Sequence, residues 1–123
     1  MGIGRFGYED LEVWQKAIDW ASQIVSLCNS LETDRRHFRL VEQLESASCS
    51  VAMNIAEGKG RYSKKEFVQF LYVARGSLYE TLTLLELFLR QGWLSHDKYA
   101  KLKGDGKEIV KMLNSLARSI KNS

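Results

Sequence analysis

The sequence predicts an all-α protein, an up-down-up-down antiparallel four-helix bundle built by a single domain over residues 1–123. Three observations predict it. The chain contains no proline, whereas all-β and loop-rich folds use proline in their turns and edges. Four stretches, at about 10–31, 37–58, 63–91 and 95–121, repeat apolar residues at spacings of three and four, the period of an α-helix. The breaks between them are short, so consecutive helices must run antiparallel.

The first helix is expected from Leu11 to Ser30, with Asp10 as its N-cap. It carries two apolar stripes. One is Leu11, Trp14, Ile18, Ala21, Val25 and Cys28; the other is Val13, Ala17, Trp20, Ile24, Leu27 and Leu31. Their centres lie roughly 110° apart at 100° per residue, which is wider than one neighbouring helix can cover. Contact with several helices or with a second subunit is therefore expected, with Trp20 and its stripe-mates as interface candidates.

The second helix, from about Phe38 to Glu57, interleaves Leu40, Leu44, Ala47, Val51 and Ile55 with small residues that allow close helix approach. Gly58-Lys59-Gly60 is expected to end it through a left-handed glycine cap. Ser63-Lys64-Lys65-Glu66 opens the third helix as a capping box. That helix continues through Phe67, Phe70, Leu71, Ala74, Leu78, Leu82, Leu85 and Leu89 to Gln91, and Gly92 closes it. Ser95 caps the fourth, whose seam is Tyr99, Leu102, Gly106, Ile109, Leu113, Leu116 and Ile120. A bend or frayed half is expected at Gly104-Asp105-Gly106, since interior glycines each cost about 1 kcal/mol relative to alanine.

Composition is that of a globular chain, 45% hydrophobic and 27% charged. No apolar run reaches the ~18 residues needed to cross a bilayer. The N-terminal residues are too polar for a signal peptide and lack the Ser or Thr of a myristoylation site. Cys28 and Cys49 fall within helical patterns and read as buried thiols in a reducing, cytoplasmic compartment.

Three blocks carry a family resemblance: Tyr8-Glu9-Asp10-Leu11-Glu12-Val13-Trp14-Gln15-Lys16-Ala17; Ser50 with Asn54-Ile55-Ala56-Glu57-Gly58; and Phe67, Phe70-Leu71 with Ala74-Arg75-Gly76-Ser77-Leu78-Tyr79-Glu80. In order and spacing these resemble the four-helix-bundle family of 23S rRNA intervening-sequence proteins. The resemblance implies a short bundle assembling as a ring-shaped homopentamer. The accessory variability proteins of diversity-generating retroelements are similar in fold, and imply an association with nucleic acid and a partner protein. The chain departs from the family pattern at Ala52, where proline is common, and at Glu45 and Ser46, where basic residues are common.

The formal net charge is +3, and its distribution is uneven. From Ser95 onward seven Lys or Arg face three Asp or Glu, so that segment is +4 and the remainder −1. Lys59, Arg61, Lys64 and Lys65 surround the turn between the second and third helices, and Tyr62 among them offers a ring for base stacking. An up-down bundle brings Arg5, Arg118 and Lys121 to the same end, and Lys101, Lys103, Lys107 and Lys111 extend the charge along the fourth helix. Contacts to RNA or DNA phosphates are expected there; a solvated lysine face is the bland alternative. Arg35, Arg36 and Arg39 form a second cluster, partly neutralised by Glu32 and Asp34. A scaffold for an acidic partner protein is the competing functional class.

Asn54 and Glu57 share a face of the second helix, and Arg75, Ser77 and Glu80 lie on the third. They are expected to form a structural polar network, with a Glu57–Arg75 pair as its candidate core. No catalytic, cofactor or metal function is expected: the Glu-x-x-His pairs of di-metal bundles are missing, and no phosphate loop or nucleophile–base arrangement is present.

Overall fold

The four periodic stretches become four α-helices: α1 (Glu12–Cys28), α2 (Phe38–Lys59), α3 (Lys64–Arg90) and α4 (His96–Lys121). Short 3-10 turns, Gly7–Asp10 and Arg35–His37, lead into α1 and α2. These coordinates are a computed structural model, which describes residues 4–31, 33 and 35–123. Glu32 and Asp34 of the second charge cluster lie outside the described residues.

Each helix packs on its neighbours in the chain, and α1 closes the bundle against α4. The diagonal pairs, α1–α3 and α2–α4, make no close backbone approach. Antiparallel register is visible in the α2–α3 contacts. Gln43 reaches Glu80 and Ser50 meets Ser77, while Gly58 lies against Phe70. The core is filled by Trp20, Ile24, Leu44, Ile55, Leu71, Leu78, Leu85, Phe88, Ile109 and Leu113, none more than 2% exposed. Two polar side chains, Ser48 and Thr81, are fully buried. Each donates to a carbonyl of its own helix, that of Glu45 at 2.9 Å and of Ser77 at 2.8 Å, so neither is left unpaired at a cost in desolvation.

The two stripes of α1 separate in part, with Ala21 of the first buried and Leu27 of the second half-buried. Val13, Ala17, Trp20 and Ile24 are buried, whereas Trp14 and Val25 are half-buried and Ile18 is 44% exposed. Trp20, at 1% exposure, is therefore a core residue and not an interface candidate. The stripe that remains at the surface is the one containing Trp14 and Ile18.

Several helix ends differ from expectation. Asp10 does not cap α1; it sits in the 3-10 turn and pairs with Arg5 at 3.2 Å, and the extended Leu11 takes the N-cap position. The turn itself is held by Glu9, whose carboxylate accepts from the Phe6 N–H at 2.7 Å. At the end of α2 no residue is left-handed: Gly60 has φ −80°. Gly58 is instead a close-packing glycine. A Cβ there would lie 2.7 Å from Phe70 Cβ and 3.0 Å from Phe67 Cδ1.

The serine caps of α3 and α4 form, but the capping box at Ser63 is only half made, because the Glu66 carboxylate accepts from the Ser63 hydroxyl at 3.1 Å and not from its backbone N–H. Ser63 Oγ accepts from the Glu66 N–H at 3.0 Å, and Ser95 Oγ from the Lys98 N–H at 3.3 Å. Gly92, at φ +79°, ends α3 in a Schellman arrangement. Trp93 N–H reaches Phe88 O and Gly92 N–H reaches Leu89 O, both at 3.0 Å. The rings of Phe88 and Trp93 meet edge-on at 5.2 Å to complete it.

α4 does not fray at its glycines; it is helical from His96 to Lys121. The reason is packing. Gly106 is buried, and a Cβ there would come 3.2 Å from Trp20 Cζ2 and 3.3 Å from Leu82 Cδ2. The glycine lets α1 and α3 close onto α4, and their burial offsets its poor helix propensity.

Candidate nucleic-acid interface

The antiparallel arrangement brings the start of α1, the end of α2, the start of α3 and the end of α4 to one end of the bundle. Lys59, Arg61, Tyr62, Lys64, Lys65 and Lys121 are all exposed there. Their local settings differ. Lys59 lies with its ammonium 5.9 Å from the Phe67 ring centroid, and Arg61 stacks over Phe70 at 4.8 Å while pairing with Glu57 at 3.4 Å. Arg5 is taken up by Asp10 and by the Glu9 carbonyl. Lys64, Lys65 and Lys121 form no ion pair among the described residues. Tyr62 projects fully into solvent.

Lys103, Lys107, Lys111 and Arg118 follow at spacings of four, four and seven, which puts them on one face of α4. All four are exposed. The helical rise spaces this row over about 22 Å. The same face carries Asn114, which accepts from the Arg75 guanidinium across the α3–α4 seam at 2.8 Å, so the row follows that seam toward Lys121. At its far end Lys103 lies 5.5 Å from the Tyr99 ring centroid. It also lies near Glu86, whose carboxyl is held below its ordinary range first by the Tyr99 hydroxyl, which donates at 2.6 Å, and then by Arg90. Lys101 faces elsewhere, bonding Asp105 and Gln23 on the α1 side.

The predicted polar network divides in two. Toward α2, Ser50 and Ser77 share a hydrogen bond of 2.9 Å, and the Asn54 amide donates to both the Ser50 carbonyl and its hydroxyl, at 2.8 and 2.9 Å. Glu80 accepts from Gln43 at 3.4 Å on the same side. Toward α4, Arg75 bonds Asn114 and lies 4.8 Å from the Tyr72 ring centroid. The expected Glu57–Arg75 pair is not formed, because the two side chains leave their helices on different sides and Glu57 takes Arg61 one turn on. Ser50 and Asn114 were not among the predicted network residues. Asn114 was legible only as an amide beside the seam residue Leu113, which does not reveal its partner.

Among the described residues no three His, Cys, Asp or Glu side chains come together in a metal-holding group. Among the described residues no helix is long and apolar enough to cross a membrane. Both cysteines are free and half-buried. The Cys28 thiol is pushed up to about 12, chiefly by burial and further by Glu45 and Cys49, so it stays protonated and unreactive at neutral pH.

Fold and surface together define a small antiparallel four-helix-bundle protein with one cation-rich end. The chain belongs to the family of 23S rRNA-intervening sequence proteins, whose sequence profile matches residues 9–115. A solved structure from Bacteroides thetaiotaomicron, a protein of unknown function from the S23 ribosomal protein family, is similar with a TM-score of 0.80 and 28% identity. The match covers 86% of this chain and 95% of that one. No curated protein matches the chain.

Proposed function

We propose that the chain is a non-enzymatic, self-associating nucleic-acid-binding module that holds phosphates along the α3–α4 seam and at the basic end. One observation carries this reading. Lys107, Lys111 and Arg118 form a row of exposed cations without ion pairs among the described residues, and it runs into Lys121, Lys64 and Lys65. A row of unneutralised charge is the electrostatic footprint of phosphate binding, which gains from counterion release and needs no base reading. The free thiols fit a reducing, cytoplasmic setting.

Self-association is supported by apolar side chains left on opposite corners of the bundle. Ile18 on α1 is 44% exposed; Val73, Tyr79 and Leu87 on α3 are 53%, 50% and 38% exposed. A closed ring of more than two copies needs two different surfaces on each subunit, and these faces supply a pair. Five copies is the number that the family resemblance implies. A ring would repeat each basic end, so modest contacts would add up.

The test is binding to structured RNA and duplex DNA across a salt series, with the assembly mass from light scattering. A mass of five chains and an affinity falling steeply with salt are expected. The variant with Lys59, Arg61, Lys64 and Lys65 all changed to Glu should lose binding. Equal binding by that variant overturns the basic end as the contact surface. A protein that binds neither polymer at low salt is better read as a scaffold for an acidic partner protein.

A further inference from the structure

Between the first turns of α3 and the last turn of α4 lies an open groove of about 440 Å³. Its character is mixed in a specific way. Lys64, Lys65 and Lys121 stand at its rim, and Val68, Tyr72 and Ile120 form its floor, with the Gln69 amide beside them. Val68 is buried, Tyr72 and Ile120 are half-buried, and the lysines are exposed. Ser123, the last residue, completes the lining, and no Asp or Glu side chain is part of it. The Lys121 ammonium lies 5.2 Å from the Tyr72 ring centroid, on a flexible stem able to swing to a ligand.

Three ammonium groups that form no ion pair among the described residues outnumber the single main-chain carboxylate of Ser123 and favour an anion. The apolar floor adds a second demand, because inorganic phosphate or sulfate would leave it uncovered. A ligand satisfying both must join an anionic group to a flat apolar body, with polar edges for the Gln69 amide. A nucleotide has those parts, and the volume falls within the range of small-ligand sites.

We propose that this groove binds one nucleotide, with its phosphate on Lys64, Lys65 and Lys121 and its base against Val68, Tyr72 and Ile120. On the nucleic-acid reading of the basic end, that nucleotide belongs to an unpaired stretch of strand. The groove thereby makes the protein prefer single-stranded over duplex nucleic acid, since a paired base cannot leave its stack without an added cost.

The full-length chain is tested by two readouts. In the first, a labelled twelve-nucleotide RNA, the matching DNA strand and the corresponding duplexes are titrated by fluorescence anisotropy against the parent and two variants. Tyr72→Leu keeps an apolar floor without an aromatic face, and is expected to weaken single-strand binding about tenfold while leaving the duplex unchanged. The triple variant Lys64→Gln, Lys65→Gln, Lys121→Gln is expected to weaken binding and flatten the salt slope by about two. In the second, adenosine monophosphate and inorganic phosphate are titrated separately while NMR follows the Val68 and Ile120 methyls and the Tyr72 ring. Adenosine monophosphate is expected to shift all three, and phosphate only the Tyr72 ring, through the movement of Lys121.

Unchanged single-strand affinity in Tyr72→Leu, with no shifts from adenosine monophosphate, overturns the groove and leaves the wider nucleic-acid reading standing. Shifts with adenosine monophosphate and no binding of any strand keep the groove as a site for free nucleotides and overturn the wider reading. Equal shifts from laurate, which offers an anion and an apolar tail without a base, overturn the nucleotide assignment.

Discussion

The indole N–H of Trp20 donates to the main-chain carbonyl of Leu102 at 3.0 Å, tying α1 to α4. The bond is buried, and the same indole packs over Gly106, where an added Cβ would lie 3.2 Å from its Cζ2. Trp20→Phe keeps an aromatic there but leaves the extra bond unmade and a small void. We expect a loss of about 2 kcal/mol, read from chemical denaturation. A loss below a few tenths would mean that the bond contributes little to closing the bundle.

The glycines separate by what surrounds them. Gly58→Ala drives a methyl into Phe70 and Phe67 and is expected to destabilise by about 1–3 kcal/mol. Gly106→Ala meets Trp20, which its hydrogen bond holds in place, and is expected to lose about 1 kcal/mol despite better helix propensity. Gly104→Ala, with nothing within 4 Å, is expected to gain roughly 0.8–1 kcal/mol. Thermal melts of the three variants check this order; a stabilised Gly58→Ala would contradict the close α2–α3 approach.

The Cys28 thiol makes stability depend on alkaline pH. Its folded value is raised from 9.0 to about 12, so above pH 9 the unfolded chain releases this proton and the folded chain retains it. The contribution is intact below pH 9 and is lost progressively as pH rises toward 12. Cys28→Ala should therefore lose Tm less steeply than the parent between about pH 9 and pH 11. Parallel slopes would show the thiol to be as free to ionise as in the unfolded chain.

The outer face of α3 is expected to be a subunit contact. Val73→Lys with Leu87→Lys places charge on an exposed row and should reduce the assembly mass in light scattering while leaving the monomer's helical signal intact. Both residues are too exposed to matter greatly to the fold. An unchanged mass would move the contact away from this face.

The bundle was legible because helix formation, capping and antiparallel order are local properties. Ser63, Ser95 and Gly92 announce their ends by residue type alone. Asp10 misled because a 3-10 turn held by Glu9 preceded the helix, and no propensity rule weighs one turn against the other. Gly58 reads as a helix terminator, and Gly106, though rightly placed on the seam, as a weak point, because a sequence does not show the ring that will be pressed against them. The same limit applies at the site. The sequence shows Lys101, Lys103, Lys107 and Lys111 as a run along the fourth helix, but not that Lys64, Tyr72 and Lys121, from two different helices, line one groove. Arg75 shows it again: its partner is Asn114, on a helix that the Glu57 expectation did not consider.

Three of the four helix seams join elements that follow one another in the chain, and the α2–α3 seam is the most extensive. Such local pairings close small loops, so folding on the microsecond-to-millisecond scale is expected. The α2–α3 hairpin should be formed in the rate-limiting step and the α1–α4 seam should not. Mutational φ-values high in the first and near zero at Trp20 are the kinetic signature. Assembly then proceeds from the middle of the chain outward, and the indole of Trp20 is the latch that shuts last.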